Sequence, residues 1–169
     1  EFDFNSGTPP LTISVLSLPS SAELTIGSGA TLNFPNLTTA GAVAFNLTGG
    51  GVTAPVLTSL VGTTFNLSNG AVASFPAATT YDTTGVSGNG VYIAYVDGTG
   101  TKLNLPAVTQ LTAGHTSASY NNQRFYAQSG GIIDFSGLQN IATPVAPADD
   151  EVRFETASGG KFLFNSPFD

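Results

Sequence analysis

Four of the eleven acidic residues of this chain gather in one stretch. "PADDEVRFE", residues 147–155, holds Asp149, Asp150, Glu151 and Glu155, and Asp134 precedes them. Two carboxyls at a suitable separation across a glycosidic bond can divide the work of acid and base. A polysaccharide hydrolase or lyase is therefore one reading. Asp149 and Asp150, however, are adjacent and follow Pro144 and Pro147, the composition of a solvated turn. A calcium-dependent lyase would also need a face of carboxylates with a basic residue beside it, and the sequence offers no such column. No catalytic and no metal-ligating residue is assigned. The chain is read as a non-enzyme with no cofactor.

Binding chemistry has other candidates. Arg124 and Arg153 each stand six residues before a glycine, Gly130 and Gly159. Equivalent positions on stacked strands lie about 5 Å apart, and like charges that close need compensation. Glu151 and Glu155 flank Arg153 on its own face and can supply it. The plain reading is a solvated Arg/Glu cluster of little energetic weight. The sharper one is contact with an anion or an acidic sugar, with Tyr126 as a stacking platform and Asp134 as a further polar contact. His115 is the single histidine, in "TAGHTSASYN", with no Ser or Asp motif beside it. It is a loop residue and a candidate contact, not a triad member. Sequons at Asn36, Asn46 and Asn66 could be glycosylated in a competent secretory route. Such triplets also arise by chance in a chain rich in Ser, Thr and Asn.

Composition narrows the partners. Four basic residues stand against eleven acidic ones, a net charge of −7. Without a Lys/Arg cluster to neutralise phosphates, neither nucleic acid nor an anionic membrane surface is expected. Charged residues are only 9% of the chain, unlike the wet surface of an intracellular enzyme. There is no Cys, hence no disulfide framework. There is also no Met, so the first residue is expected to arise by processing, most simply by removal of a signal peptide. The expected location is extracellular or on the cell surface. No apolar run is long enough for a membrane-inserted helix.

The elements that must position these residues announce themselves by repetition. "FNLTGG" at 45–50 returns as "FNLSNG" at 65–70. Gly29, Gly50, Gly70, Gly100, Gly130 and Gly159 follow one another at intervals of 21, 20, 30, 30 and 29 residues. Five positions before them stand Leu24, Phe45, Phe65, Tyr95, Phe125 and Phe154; seven before stand Ala22, Val43, Thr63, Ile93, Gln123 and Val152. The residues between, Ala94 and Arg124 among them, are small or polar. This is the period of a strand with one buried face. A second short strand follows each glycine (Leu32 and Phe34, Ala73 and Phe75, Leu103 and Leu105, Ile133 and Phe135), often closed by Pro. A third apolar pair completes the unit, as Leu57 with Leu60 and Ala78 with Tyr81. One such unit cannot bury its apolar side, but a stack of them can.

The expected fold is all-β: a parallel β-solenoid, a right-handed β-helix by the usual crossover rule, of about six to seven coils with 20–30 residues each. The whole of 1–169 is read as a single domain. Residues 1–21 form an irregular first coil or strand, 22–81 the short coils, and 82–169 longer coils with loops at 82–90, 112–121 and 142–150 protruding on one side. The inner seam is expected to carry rings at 45, 65, 95, 125 and 154.

The phrases "AQSGGIIDFSGLQNI", "ETASGGKFLFNSPF" and "GTGTKLNLPAVTQL" resemble the repeats of large secreted bacterial surface proteins. Those are the β-solenoid adhesins of filamentous-haemagglutinin-like and autotransporter-like type. The resemblance runs from about residue 22 onward and rests on texture and period. It implies an extracellular structural role, as a self-associating filament subunit or a stalk segment whose partner is another copy of itself. An adhesin using the three loops to bind glycans or a host surface is the alternative. An ice-binding face is a weaker one, because no regular Thr-x-Thr column is present.

Overall fold

The computed structural model describes residues 2–4, 10–114, 122–143 and 151–165. Among them every regular element is a strand, and the strands fall into seven successive coils. The first holds β1 (Phe2–Phe4), β2 (Leu11–Thr12) and β3 (Ser17–Leu18); the second β4 (Glu23–Ile26), β5 (Thr31–Asn33) and β6 (Thr39–Gly41). The third holds β7 (Ala44–Thr48), β8 (Gly51–Thr53) and β9 (Ser59–Val61). The fourth holds β10 (Thr64–Ser68), β11 (Val72–Ser74) and β12 (Thr80–Asp82). The fifth holds β13 (Val91–Asp97), β14 (Lys102–Asn104) and β15 (Gln110–Thr112). The sixth holds β16 (Asn122–Gln128), β17 (Ile132–Asp134) and β18 (Asn140–Ala142), and the seventh β19 (Glu151–Ala157) and β20 (Lys161–Leu163).

Each strand pairs in parallel with its equivalent one coil away. The result is three sheets of 7, 7 and 6 strands, the first built from β1, β4, β7, β10, β13, β16 and β19. This is the parallel β-solenoid that the repeat spacing predicts. Register keeps like over like: Phe45 pairs with Phe65, Asn46 with Asn66 and Leu47 with Leu67. The apolar members point inward and are buried, from Leu24 and Leu32 to Phe135 and Leu138.

Rings stack along the axis where the register aligns them. Phe45 and Phe65 lie 5.5 Å apart at 9°, and Phe125 and Phe154 lie 5.1 Å apart at 8°. From the second sheet, Phe75 tilts onto both Phe45 and Phe65 at 5.5 Å. Corners are turned by left-handed backbone, as at Asn69 (φ 56°) and Gly70 (φ 79°). Glycine accepts that region without a Cβ clash, and Asn tolerates it better than most residues.

The fifth coil departs from the expected pattern. Counting back from Gly100 places Tyr95 in the inner seam and Ala94 outside. The structure reverses them: Ala94 pairs with Phe65 and Phe125, is fully buried, and Tyr95 pairs with Asn66 and Tyr126 on the outside. Two extra residues cause this. The turn Asp97–Gly100 is longer by one, and a bulge between Tyr92 and Ala94 adds another. Ile93 and Ala94 are consequently both buried.

The ring missing at position 94 is replaced from the third sheet. Tyr81 is fully buried with its ring edge-on to Phe65 at 6.2 Å and to Phe125 at 6.1 Å, spanning the coil that contributes only a methyl group. Its hydroxyl donates to the Thr63 carbonyl at 2.5 Å. Burial raises its pKa well above the ordinary 10.0.

The loop over 82–90 is tied to the core by one buried side chain. Gln123 Oε1 accepts from Thr83 Oγ1 at 2.6 Å and from the Gly114 amide at 2.9 Å. Its Nε2 donates to the carbonyls of Thr83 at 2.7 Å and Val86 at 2.8 Å. All four hydrogen-bonding positions of the carboxamide are thereby satisfied. The other two predicted loops fall mostly on 115–121 and 144–150, outside the described residues.

Candidate functional site

The outward face of the first sheet brings most of the candidate residues together. Strand alternation sends Arg124 and Tyr126 of β16, and Arg153 and Glu155 of β19, away from the core. Register sets Arg124 beside Arg153 and Tyr126 beside Glu155. The repulsion between the guanidiniums is met by carboxylates on both sides. Arg124 donates to Glu155 from Nε at 2.9 Å and also from Nη2, while Arg153 pairs with Glu151 and reaches Glu155 at 4.0 Å. The hydrogen bond to Glu155 raises the Arg124 pKa above its ordinary value. The pairs are half-exposed, so their weight is small.

Tyr126, the candidate platform, does not stand alone. Tyr92 and Tyr95, both turned outward in the fifth coil, complete a three-ring cluster. Ring centroids lie 5.3 Å apart for Tyr92 and Tyr95, 6.0 Å for Tyr92 and Tyr126, and 5.8 Å for Tyr95 and Tyr126. The Arg124 guanidinium sits 4.8 Å from the Tyr92 ring centre and 5.7 Å from that of Tyr126, and its Nη1 donates to the Tyr92 hydroxyl at 3.1 Å. Gln128 donates to the Tyr95 hydroxyl. Burial first, then Asp97, Tyr92 and Tyr126, raise the Tyr95 pKa.

Beside the cluster lies a groove of about 420 Å³, lined by Asn46, Thr64, Phe65, Asn66, Tyr92 and Tyr95. The Asn46 amide donates to Glu23 Oε1 at 2.6 Å. The Asn66 side chain is exposed and makes no hydrogen bond among the described residues.

Two candidates stand apart from this face. Asp134 belongs to the second sheet, where it pairs with Lys102 at 3.5 Å and accepts from the Ser136 amide at 3.1 Å. It shares no contact with the arginine cluster. His115, like Asp149 and Asp150, lies outside the described residues. Tyr92, Tyr95, Asn46 and Asn66 are functional candidates that repeat counting does not single out.

A signal for the tyrosines does exist in the sequence. Three positions before the repeat glycines stand Ile26, Leu47, Leu67, Ala127 and the uncharged Thr156, but at Gly100 that place falls to Asp97. An acid in an inward column shows that the count has slipped. Moving it by one puts Val96 inside and Tyr95 outside.

Comparison with known proteins finds no matching family, no matching curated protein and no matching solved structure.

Proposed function

We propose that the chain is a structural segment of an extracellular or cell-surface β-solenoid, a non-catalytic stalk or filament element that extends by stacking coil upon coil. The observation that carries this reading is the in-register repetition of side-chain classes through every coil. Each coil buries its apolar face only against the next. The seventh coil leaves Phe154, Phe162 and Phe164 half-buried, with the rings of 162 and 164 stacked at 5.8 Å and 9°. A further coil, from a longer chain or from another copy, would cover them and pair with β19 and β20. The textural resemblance to secreted bacterial adhesins supports the same reading. So do the carboxylates Glu151, Glu155 and Asp134, which are engaged in ion pairs rather than facing one another across a cleft.

Electron microscopy and fibre diffraction of the concentrated protein test self-association. The expected result is fibres with a reflection at about 4.8 Å along the fibre axis, the spacing of strands stacked end to end. Protease shaving of intact source cells tests location and should release peptides of this chain. Dispersed monomers at high concentration together with no shaved peptide would overturn the reading.

A further inference from the structure

We propose that the outward face of the first sheet binds a neutral glycan chain, laid along the solenoid axis over Asn46, Asn66, Tyr95 and Tyr126. These four residues occupy one register column in four consecutive coils. A ligand with its own repeat, running along the axis, therefore meets a side chain from each coil in turn. The column changes chemistry halfway: two carboxamides, then two aromatic rings.

A pyranose unit has the complementary division. Its C–H face is apolar and its rim is set with hydroxyls. Tyr95 and Tyr126 are stacked at 5.8 Å and 25°, so they offer ring surface from adjacent coils to that C–H face. Asn carboxamides both donate and accept, the pairing that neighbouring hydroxyls require. Asn66 has this capacity unspent within the described protein. The groove volume of about 420 Å³ is in the range of small-molecule sites.

Charge selects the class of sugar. The one guanidinium at the groove, Arg124, gives Nε and Nη2 to Glu155 and Nη1 to Tyr92. Glu155 already offsets the charge of Arg124, and Asp97, Glu23 and a net charge of −7 oppose the approach of a sugar carboxylate. The ligand proposed is thus a neutral sugar, where the sequence suggested an acidic one at Arg124. Arg124 acts as a positioning residue that holds Tyr92 and Tyr126 in place. The bulge at Tyr92/Ala94 and the longer turn Asp97–Gly100 give the site its origin, because together they set Tyr95 outside the core seam, where the Tyr81 ring lies between Phe65 and Phe125 instead.

The chain has no Trp, and three of its five tyrosines form this cluster, so tyrosine fluorescence reports on the site directly. The protein is made in a host without N-glycosylation, because Asn46 and Asn66 head sequons and an attached glycan would fill the groove. It is titrated with cellohexaose, mannohexaose and xylohexaose, and with hexagalacturonate as the acidic comparison. The expected result is saturable binding of at least one neutral hexamer, with weaker or no binding of the acidic one. Tyr95→Ala and Tyr126→Ala should each weaken binding about tenfold, the scale of one lost stacking platform. Asn66→Ala, at an exposed position with no internal hydrogen bond, should weaken it about fivefold with an unchanged unfolding midpoint. Lys102→Ala, on the second sheet, should leave it unchanged. Three results would each overturn the proposal: no saturable binding of any neutral hexamer, preference for hexagalacturonate, or full affinity in Asn66→Ala together with a folded Tyr95→Ala. None of them bears on the scaffold reading, which concerns how coils stack.

Discussion

Tyr81 shows how a single side chain can settle the chemistry of a core position. Its ring fills the gap above Ala94, and its hydroxyl has one partner, the Thr63 carbonyl. Replacing it with Phe keeps the ring and strips that carbonyl of its buried donor. Tyr81→Phe should therefore cost about 1–2 kcal/mol at neutral pH, measured by urea unfolding. The alkaline behaviour follows from the raised pKa. Between the unfolded value near 10 and the higher folded one, the unfolded chain loses the phenolic proton and the folded chain keeps it. Stability is complete below about pH 10 and declines as pH climbs through that interval. In Tyr81→Phe the decline above pH 10 should be shallower. Parallel pH profiles for the two proteins would contradict the assignment.

At the scale of elements, Gln123 links a strand to a loop. Its register partners are Val91 and Val152, with Ala22, Val43 and Thr63 at the same place in earlier coils, and its four hydrogen bonds explain why a carboxamide is tolerated there. Gln123→Ala leaves the Thr83 and Val86 carbonyls and the Gly114 amide without this partner. The Thr83 carbonyl keeps the Val86 amide as a donor, so the expected cost is about 2–4 kcal/mol, from the desolvation of the Val86 carbonyl and the Gly114 amide. The Gly114 amide should lose hydrogen-exchange protection while that of Phe125, two residues along β16, keeps it. Equal protection at Gly114 in both proteins would show that the loop is held by other means.

Strands are also where the sequence is easiest and hardest to read. Where a unit keeps its length from ring to glycine, as at Phe45, Phe65, Phe125 and Phe154, alternation gives the inward residues directly. In the fifth coil a longer turn and a bulge shift the count, and Tyr95 changes sides. Period-two patterns have no tolerance for a single insertion, because one residue inverts every side chain beyond it. Arg124, Arg153 and Glu155 were legible as a cluster because their coils are regular. The groove was not legible, since Tyr92 and Tyr95 owe their outward direction to the irregular coil. Asp134 was drawn toward the acids by proximity in sequence, whereas in space it belongs to another sheet and another ion pair.

At the scale of the molecule, the solenoid separates two tasks. Its interior is a set of columns in which rings and aliphatic groups repeat, and its exterior is free to vary along the same columns. Asn46, Asn66, Tyr95 and Tyr126 vary in this way over a seam of Phe45, Phe65, Ala94 and Phe125, in which the Tyr81 ring takes the place of the one missing at 94. Binding chemistry can therefore be placed on a scaffold that needs only the inner half of each strand.

The stacking itself is open to a direct chemical test, because the chain has no cysteine of its own. Ser59 and Thr80 are register partners in the third sheet, and the Thr80 hydroxyl donates to that of Ser59 at 3.0 Å. Cysteines at these two positions lie within the reach of a disulfide. A pair at Ser59 and Asp82 is displaced by two residues along the strand and lies at a diagonal distance beyond it. Mild oxidation of the folded double variants, followed by mass spectrometry, should give rapid and complete bridging of Ser59→Cys/Thr80→Cys and little bridging of Ser59→Cys/Asp82→Cys. Free thiols in the first pair, or equal bridging in both, would contradict a solenoid in which each coil lies in register on the next.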